Sequence, residues 1–207
     1  MLEQSIKDAL TEYFKKMTTQ VVYKLSPAEH EKKNELKSML EDIASLSSNI
    51  SIEESADKAA NGASFSISNS SGETGITFSG VPGGHEFNSL ILATLQAGGN
   101  PVKIDSGIRR LIESISEKLS FQTIVSLSCH NCPEVVQALN EMSIINPNIS
   151  HEMVDGGVFP EIVSERNIMG VPAVYLNGKE FSNGQIDLAA IVDKLMDYTH
   201  ADEAAQQ

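Results

Sequence analysis

The sequence predicts an α/β protein made of two similar modules, each with a mixed central sheet flanked by helices. Segments with apolar residues at helical spacing alternate with short β-branched runs along the 207 residues. The same order of elements, namely helix, strand, helix, strand, hairpin and helix, occurs twice, with one short helix missing from the first copy. Both cysteines of the chain, Cys129 and Cys132, lie where a strand of the second copy leads into a helix.

The first module is predicted to span residues 1–100 and contains no cysteine. A helix over about 2–17 precedes a strand at 20–25. Ser26 followed by Pro27 then favours a second helix that starts at that point, with Ser26 as its N-cap. The remaining predicted elements are a strand at 49–52, a hairpin of strands at 64–68 and 75–79, and a helix at about 86–97.

The second module is predicted to span residues 101–199, after a chain break at Gly-Gly-Asn-Pro 98–101. Its predicted elements are a helix at 104–115, a strand at 121–127, a helix from Pro133, a strand at 149–154, a helix at 158–166, a hairpin at 170–181 and a helix at 186–195. Asn177-Gly178 is a strong signal for the two-residue turn of that hairpin. Residues 200–207 are polar and are predicted to form a linker or tail.

The charge and hydropathy of the chain exclude several classes of partner. The formal net charge is −13 at pH 7, whereas surfaces that bind nucleic acids or anionic membranes are rich in Lys and Arg. No apolar run approaches the roughly 20 residues that a membrane span needs, and the acidic, amphipathic N-terminus is unlike a signal peptide. We therefore expect a cytoplasmic protein, in which a lone cysteine pair more often cycles between dithiol and disulfide than serves as a structural bridge.

The motif Cys129-His130-Asn131-Cys132 is typical of a redox-active dithiol. The free N–H groups and the positive end of the following helix favour a thiolate at Cys129, and the cationic form of His130 adds to this effect. Cys129 is therefore the expected nucleophile, and Cys132 is the expected buried resolving thiol. Two alternatives stay open. A structural disulfide would gain little from closing so short a loop, and a metal site would need two more ligands than this pair supplies, so no metal ion is expected.

The order of elements, the Cys-x-x-Cys motif and Val171-Pro172 before a strand resemble the thioredoxin and glutaredoxin-like fold. The pairing of a cysteine-free module with an active one is more specific. Together with the sequences at 126–140, 169–181 and Gly-His-Glu-Phe at 84–87, it closely resembles the N-terminal domain of the flavoprotein component, called F, of bacterial alkyl hydroperoxide reductase. The resemblance covers essentially the whole chain.

The resemblance implies a protein disulfide oxidoreductase that acts in peroxide defence. In that family, a linker joins the domain to a flavoprotein that binds FAD and NADH, and the domain passes electrons from the flavoprotein dithiol to a peroxiredoxin, the C component of the same reductase. No Gly-x-Gly-x-x-Gly motif follows a strand in this chain. We therefore expect no cofactor here and interpret the chain as an excised domain or a truncated relative. The full-length protein is expected to be a homodimer.

The resemblance also implies roles for residues beside the cysteines. Pro172 is expected to form a cis peptide packed against the dithiol, with the backbone of Val171 available to a substrate strand. The local sequence alone would favour a trans Pro at the first residue of a strand. His130 is interpreted as a residue that tunes the redox potential rather than one that transfers protons.

The proton acceptor of the buried thiol does not follow from the cysteine motif. Thioredoxins usually bury an Asp six residues before the first Cys, where this chain has Thr123, which cannot ionise. Our hypothesis is that Glu86 of the first module reaches across and deprotonates Cys132. The alternative is a carboxylate that only stabilises the first turn of its helix.

Two other functions stay open from the sequence. An independent tandem glutaredoxin-like dithiol reductase would act on many proteins, so it would turn over a generic disulfide as fast as a peroxiredoxin. A partner-binding module with an incidental cysteine pair would keep its activity after Cys129→Ser.

Overall fold

The computed structural model describes residues 2–57 and 61–205. The first half of the chain contains α1 (Gln4–Phe14), β1 (Val21–Leu25), α2 (Lys33–Ala44), β2 (Ile50–Glu54), β3 (Ser64–Asn69), β4 (Gly72–Ser79), a 3-10 turn (Gly84–Glu86) and α3 (Phe87–Ala97). The second half contains α4 (Ser106–Glu113), β5 (Leu119–Val125), α5 (Cys132–Ile145), β6 (Ile149–Asp155), α6 (Pro160–Glu165), β7 (Ala173–Leu176), β8 (Lys179–Asn183) and α7 (Leu188–Ala205). This confirms the predicted α/β class.

The eight strands form one continuous sheet, in the order β2-β1-β3-β4-β6-β5-β7-β8. The two halves meet where β4 pairs in parallel with β6, with Ile76 opposite His151 and Ser79 opposite Val154. The sequence predicted a central sheet in each module but did not predict that the two sheets would join. The predicted boundary near residue 100 falls in the connection between α3 and α4, and the division into modules stays a prediction.

The two halves repeat the same strand pairing. β1 pairs in parallel with β2 and antiparallel with β3, and β5 pairs in parallel with β6 and antiparallel with β7. One hydrogen bond is repeated as well. The N–H of Gly80 donates to the carbonyl of Ala63 at 2.7 Å, as the N–H of Gly184 donates to the carbonyl of Pro172 at 2.8 Å. Ala63 therefore occupies the place in the first half that Pro172 occupies in the second.

The hydrophobic core extends across the boundary between the halves. The largest cluster is built mainly from the first half, with Tyr23, Phe65 and Phe78 among its members. It also contains Cys132 and Val136 of α5. The N-terminal turn of α5 is thus packed into the core of the cysteine-free half, which fixes the position of the cysteine pair relative to both halves.

The predicted start of the second helix was wrong. α2 begins at Lys33, six residues after the predicted first helical residue, Pro27. The N–H of Ser26 donates to the carbonyl of Ser64 at 2.9 Å, so the chain still runs beside β3 at this point. The Ser26 hydroxyl accepts from the N–H of Ala28 at 3.2 Å, as a helix N-cap would, but residues 27–30 form no helix and the bond closes only a local turn.

The last helix is longer than the sequence analysis predicted. α7 continues to Ala205, so residues 200–205 of the predicted linker or tail are helical. The composition Ala-Asp-Glu-Ala-Ala at 201–205 is compatible with this, because Ala and Glu are strong helix formers. Residues 206 and 207 of that tail lie outside the described part of the chain. None of the helices described is both long and apolar enough to cross a membrane.

A buried polar chain links β5, β6 and α5. The Thr123 hydroxyl lies 2.8 Å from Nε2 of His151, and Nδ1 of the same ring lies 2.7 Å from the amide oxygen of Asn140. Since the amide oxygen only accepts, Nδ1 carries the proton and the Thr123 hydroxyl donates to Nε2. Burial lowers the pKa of His151 from 6.5 to about 3, so the ring is neutral at pH 7.

We expect His151 to make the free energy of unfolding fall as the pH falls below 6.5. The unfolded chain protonates this ring near 6.5 and the folded chain only near 3, so the unfolded state binds more protons between these values. Urea unfolding of the wild type and His151→Gln between pH 7.5 and 5 measures the effect. The variant should lose about 2 kcal/mol less than the wild type between pH 6.5 and 5. Equal losses would contradict a buried neutral His151.

Candidate active site

The cysteine pair sits between the end of β5 and the first turn of α5. β5 ends at Val125, and Cys129 closes a turn in which its N–H donates to the carbonyl of Ser126 at 2.9 Å. Cys132 is the first residue of α5, followed by Pro133 in the first turn. Proline fits there because its missing N–H would have had no intrahelical partner. The strand-to-helix placement predicted from the motif is confirmed.

The two sulfurs are joined in a disulfide, with 5.5 Å between the Cα atoms. Cys132 is fully buried, whereas Cys129 is half-buried. The N–H of Cys132 points at the Cys129 sulfur, with 3.1 Å between nitrogen and sulfur. When the bond is reduced, this N–H and the helix N-terminus are placed to stabilise a thiolate on Cys129. Cys129 is therefore the more accessible of the two cysteines.

Val171 and Pro172 lie beside the reactive sulfur. The peptide bond between them is cis, as the fold resemblance implied. The Cys129 sulfur lies 3.9 Å from the Val171 carbonyl oxygen. Pro172 is buried and Val171 is half-buried. The structure thus brings Val171, Pro172 and Cys129 together at the protein surface, 42 residues apart in the sequence.

A segment of the first half completes this surface. The N–H of His85 donates to the carbonyl of Leu127 at 3.0 Å, immediately before the cysteine motif. Gly84 allows this approach, because its φ is +53° and a Cβ there would lie 2.5 Å from the Leu127 oxygen. The ring centroids of His85 and His130 are 4.1 Å apart. The cysteine-free half therefore contacts a residue between the two cysteines.

Comparison with known proteins identifies relatives of this chain. Residues 121–197 match the family described as thioredoxin domain. The F component of alkyl hydroperoxide reductase from Staphylococcus epidermidis is 46% identical over 195 residues, which are 94% of this chain and 38% of that protein. The crystal structure of the NTD_N/C domain of alkylhydroperoxide reductase AhpF from Enterococcus faecalis is 32% identical with a TM-score of 0.85, over 94% of this chain and 100% of that domain.

This chain belongs to the family of the N-terminal domain of alkyl hydroperoxide reductase AhpF. A Bacillus subtilis relative named NADH dehydrogenase is 41% identical over all 207 residues, which make up 40% of its length. The chain therefore spans about 40% of the length of the curated relatives that it matches. The Cys129–Cys132 disulfide lies within the part of the chain that matches the thioredoxin domain.

Glu86 is a buried acid at the junction of the two halves in this AhpF-family domain. Its side chain is fully buried, and neither carboxylate oxygen has a hydrogen-bond partner among the described residues. Burial raises the pKa of Glu86 to about 7, and the nearby Ser89 hydroxyl offsets part of this effect. Glu86 lies between His85, which contacts His130, and Ser89, which accepts a hydrogen bond from Gln137 of α5 at 3.2 Å. The segment that carries Glu86 is therefore packed against α5 and the cysteine motif.

The sequence analysis of the AhpF-family domain missed the contact made by His85. In the sequence, residues 84–87 contribute to the family resemblance, and only Glu86 among them is predicted to have a role at the site. The two consecutive glycines before His85 were the one available signal, since paired glycines often mark a close approach of two backbones. Nothing in the sequence identified the segment that would be approached.

No three His, Cys, Asp or Glu side chains within the described residues are grouped so as to hold a metal ion.

We expect Glu86→Gln to stabilise the protein at alkaline pH. Because the folded pKa of about 7 exceeds the ordinary 4.5, folding takes up a proton between these values, and the cost of burying the ionised form is complete above pH 7. The variant should raise the free energy of unfolding by about 3 kcal/mol at pH 8 and by only about 1 kcal/mol at pH 5. Urea unfolding at both pH values is the measurement. The exposed Glu117→Gln is the control, and an equal gain at both pH values would exclude an ionising buried Glu86.

Proposed function

We propose that this domain relays two electrons from a flavoprotein dithiol to the disulfide of a peroxiredoxin, the C component of alkyl hydroperoxide reductase. The observation that carries the proposal is the Cys129–Cys132 disulfide at a helix N-terminus, with its first sulfur accessible and its second fully buried. That asymmetry suits a carrier that accepts and passes on a disulfide through one exposed atom. The membership of the AhpF family supports the choice of partners.

The electron donor belongs to the part of the longer relatives that this chain does not cover. The chain spans about 40% of their length, and we assign FAD, NADH and the flavoprotein dithiol to the remainder. When bound there, FAD and NADH would supply the electrons as a hydride. This domain would contribute only its cysteine pair and bind neither cofactor. We further propose a cytoplasmic, homodimeric full-length protein, and the net charge of −13 disfavours nucleic-acid or membrane partners.

The exchange has two displacement steps. In the reduced domain, the Cys129 thiolate attacks one sulfur of the peroxiredoxin disulfide, which forms a mixed disulfide and releases the other peroxiredoxin sulfur as a thiolate. The Cys132 thiolate then attacks Cys129, which restores the Cys129–Cys132 bond and frees the second peroxiredoxin thiolate. Two electrons pass to the peroxiredoxin, whose two thiolates take up protons. The N–H of Cys132 lies 3.1 Å from the Cys129 sulfur, where it would stabilise the negative charge of each step.

Glu86 is proposed to accept the proton of Cys132. A fully buried thiol needs a buried base, because water is excluded from it. Thr123, where thioredoxins carry an Asp, cannot ionise and is instead bonded to His151. Glu86 is buried, lacks a described partner and has a pKa of about 7, which suits a group that takes and returns a proton near neutral pH.

The other site residues are proposed to hold the partner and adjust the dithiol. The backbone of Val171, beside the cis peptide to Pro172, would pair with an extended segment of the peroxiredoxin. His130 is exposed between the cysteines, and its imidazole would tune the redox potential of the pair.

The decisive experiment mixes the reduced domain with the oxidised peroxiredoxin component of an alkyl hydroperoxide reductase. We expect rapid transfer of two thiol equivalents, and transfer to a generic disulfide such as oxidised glutathione at least about tenfold slower, because only the peroxiredoxin docks on the cis-Pro surface. Cys132→Ser should trap the mixed disulfide on Cys129, visible as a heavier band on a non-reducing gel. Cys129→Ser should form no such band. Equal rates with both disulfides would favour a general reductase, and full activity of Cys129→Ser would favour a binding module.

We expect Glu86→Gln to slow the second displacement. Replacing the base should reduce the rate of peroxiredoxin release at pH 7 on the order of 100-fold, because the buried Cys132 loses its proton acceptor. The loss should shrink towards pH 9, where hydroxide can take the proton. Stopped-flow measurement of the release step from pH 6 to 9 tests this, with Glu117→Gln as the control. An unchanged pH profile would eliminate Glu86 as the base.

A further inference from the structure

Met169 is the most exposed large apolar side chain in the described part of the chain. Its exposed fraction is 94%, whereas the next most exposed, Tyr13, is at 50%. Single exposed apolar residues are common on protein surfaces and need no explanation by themselves. Met169 differs because it lies two residues before Val171, at the edge of the cysteine site.

The segment that carries Met169 is anchored on both sides. The N–H of Ile168 donates to the carbonyl of Val163 at 3.0 Å, and the Ile168 side chain packs against the third core cluster, which includes Phe159. Val171 packs against both the first and the third clusters. The backbone at Met169 is thus held between two buried contacts while its own side chain projects into solvent.

Met169 lies near Cys129 in space. Two residues of chain span at most about 7 Å, and the Val171 carbonyl lies 3.9 Å from the Cys129 sulfur. An extended partner segment that pairs with the Val171 backbone and continues towards residue 169 would pass beside the Met169 side chain. A flexible thioether is suited to packing against such a segment without demanding one fixed shape.

We propose that Met169 is a docking residue for the peroxiredoxin and a site at which hydroperoxide switches this docking off. The inference rests on the proposed function above. The thioether packs against the peroxiredoxin segment that carries the reacting disulfide. Hydroperoxide converts the thioether to the sulfoxide, and the polar product no longer makes this contact.

The hydroperoxide is the only oxidant that this step needs. The Met169 sulfur attacks the terminal oxygen, the O–O bond breaks and an S–O bond forms. Sulfur is oxidised by two electrons, and the hydroperoxide is reduced to the alcohol, or to water in the case of hydrogen peroxide, as the proton of the attacked oxygen passes to the leaving oxygen. Among the described methionines, the greater exposure of Met169 makes oxidation selective for this residue. Met17, Met142 and Met153 are buried, and Met39 and Met196 are half-buried.

The test uses the disulfide form of this chain, because its cysteines are then protected from peroxide. The protein is treated with hydrogen peroxide, and sulfoxide is located by peptide mass spectrometry. Dithiothreitol then reduces the disulfide but not the sulfoxide. We expect oxidation mainly at Met169 and a rate of peroxiredoxin reduction about fivefold to tenfold lower, as for the loss of one apolar contact at an interface. The rate with oxidised glutathione should not change.

Two variants at the same position provide the matched controls. Met169→Leu keeps an apolar side chain without a thioether, so its own rate with the peroxiredoxin should be the same before and after peroxide. Met169→Gln should be slow without any treatment. The two methionine sulfoxide reductases, one for each sulfoxide epimer, should together restore the rate of the oxidised wild type.

The outcomes separate this inference from the function on which it rests. If untreated wild type reduces the peroxiredoxin but the Met169 sulfoxide form is equally fast, only the inference is wrong. The same holds if Met169→Leu loses as much rate after peroxide as the wild type. If untreated wild type does not reduce the peroxiredoxin at all, both the proposed function and this inference are wrong.

Discussion

The parallel pairing of β4 with β6 is the contact on which the rest of this structure depends. It joins the strands of the two halves into a single sheet, with Ile76 to Ser79 opposite His151 to Val154. Because a sheet fixes the register of its strands, the segment that follows β4 is brought to a defined place beside the segment that follows β5. The 3-10 turn Gly84–Glu86 therefore lies against the backbone that leads into the cysteine pair.

This arrangement gives the cysteine-free half a direct part in the site. It supplies the buried carboxyl of Glu86 and the ring that contacts His130. It also supplies much of the apolar core that surrounds Cys132. The Cys132 side chain is therefore buried among residues of both halves.

Local chemistry explains which elements were predictable from the sequence. The β7–β8 hairpin followed from Asn177-Gly178, since the turn needs positive φ values and Asn177 and Gly178 have φ of +51° and +79°. The start of α5 followed from the cysteine motif and Pro133. The start of α2 did not follow, because Ser26 and Pro27 look like a helix start although the Ser26 N–H is used to extend the pairing with β3. A strand pairing with a distant segment overrode a local preference.

The sequence by itself determined the reactive chemistry: two cysteines at a strand-to-helix turn, the family to which they belong, and the cis proline expected beside them. These properties reside in short segments whose residues constrain one another directly. Only the tertiary structure decided what surrounds the cysteines. It brings His85 into contact with His130, buries Glu86 without a hydrogen-bond partner among the described residues, and exposes Met169 at the edge of the cysteine site. The physical reason is that these depend on packing between segments more than 40 residues apart, and no local pattern of residue types encodes such distances.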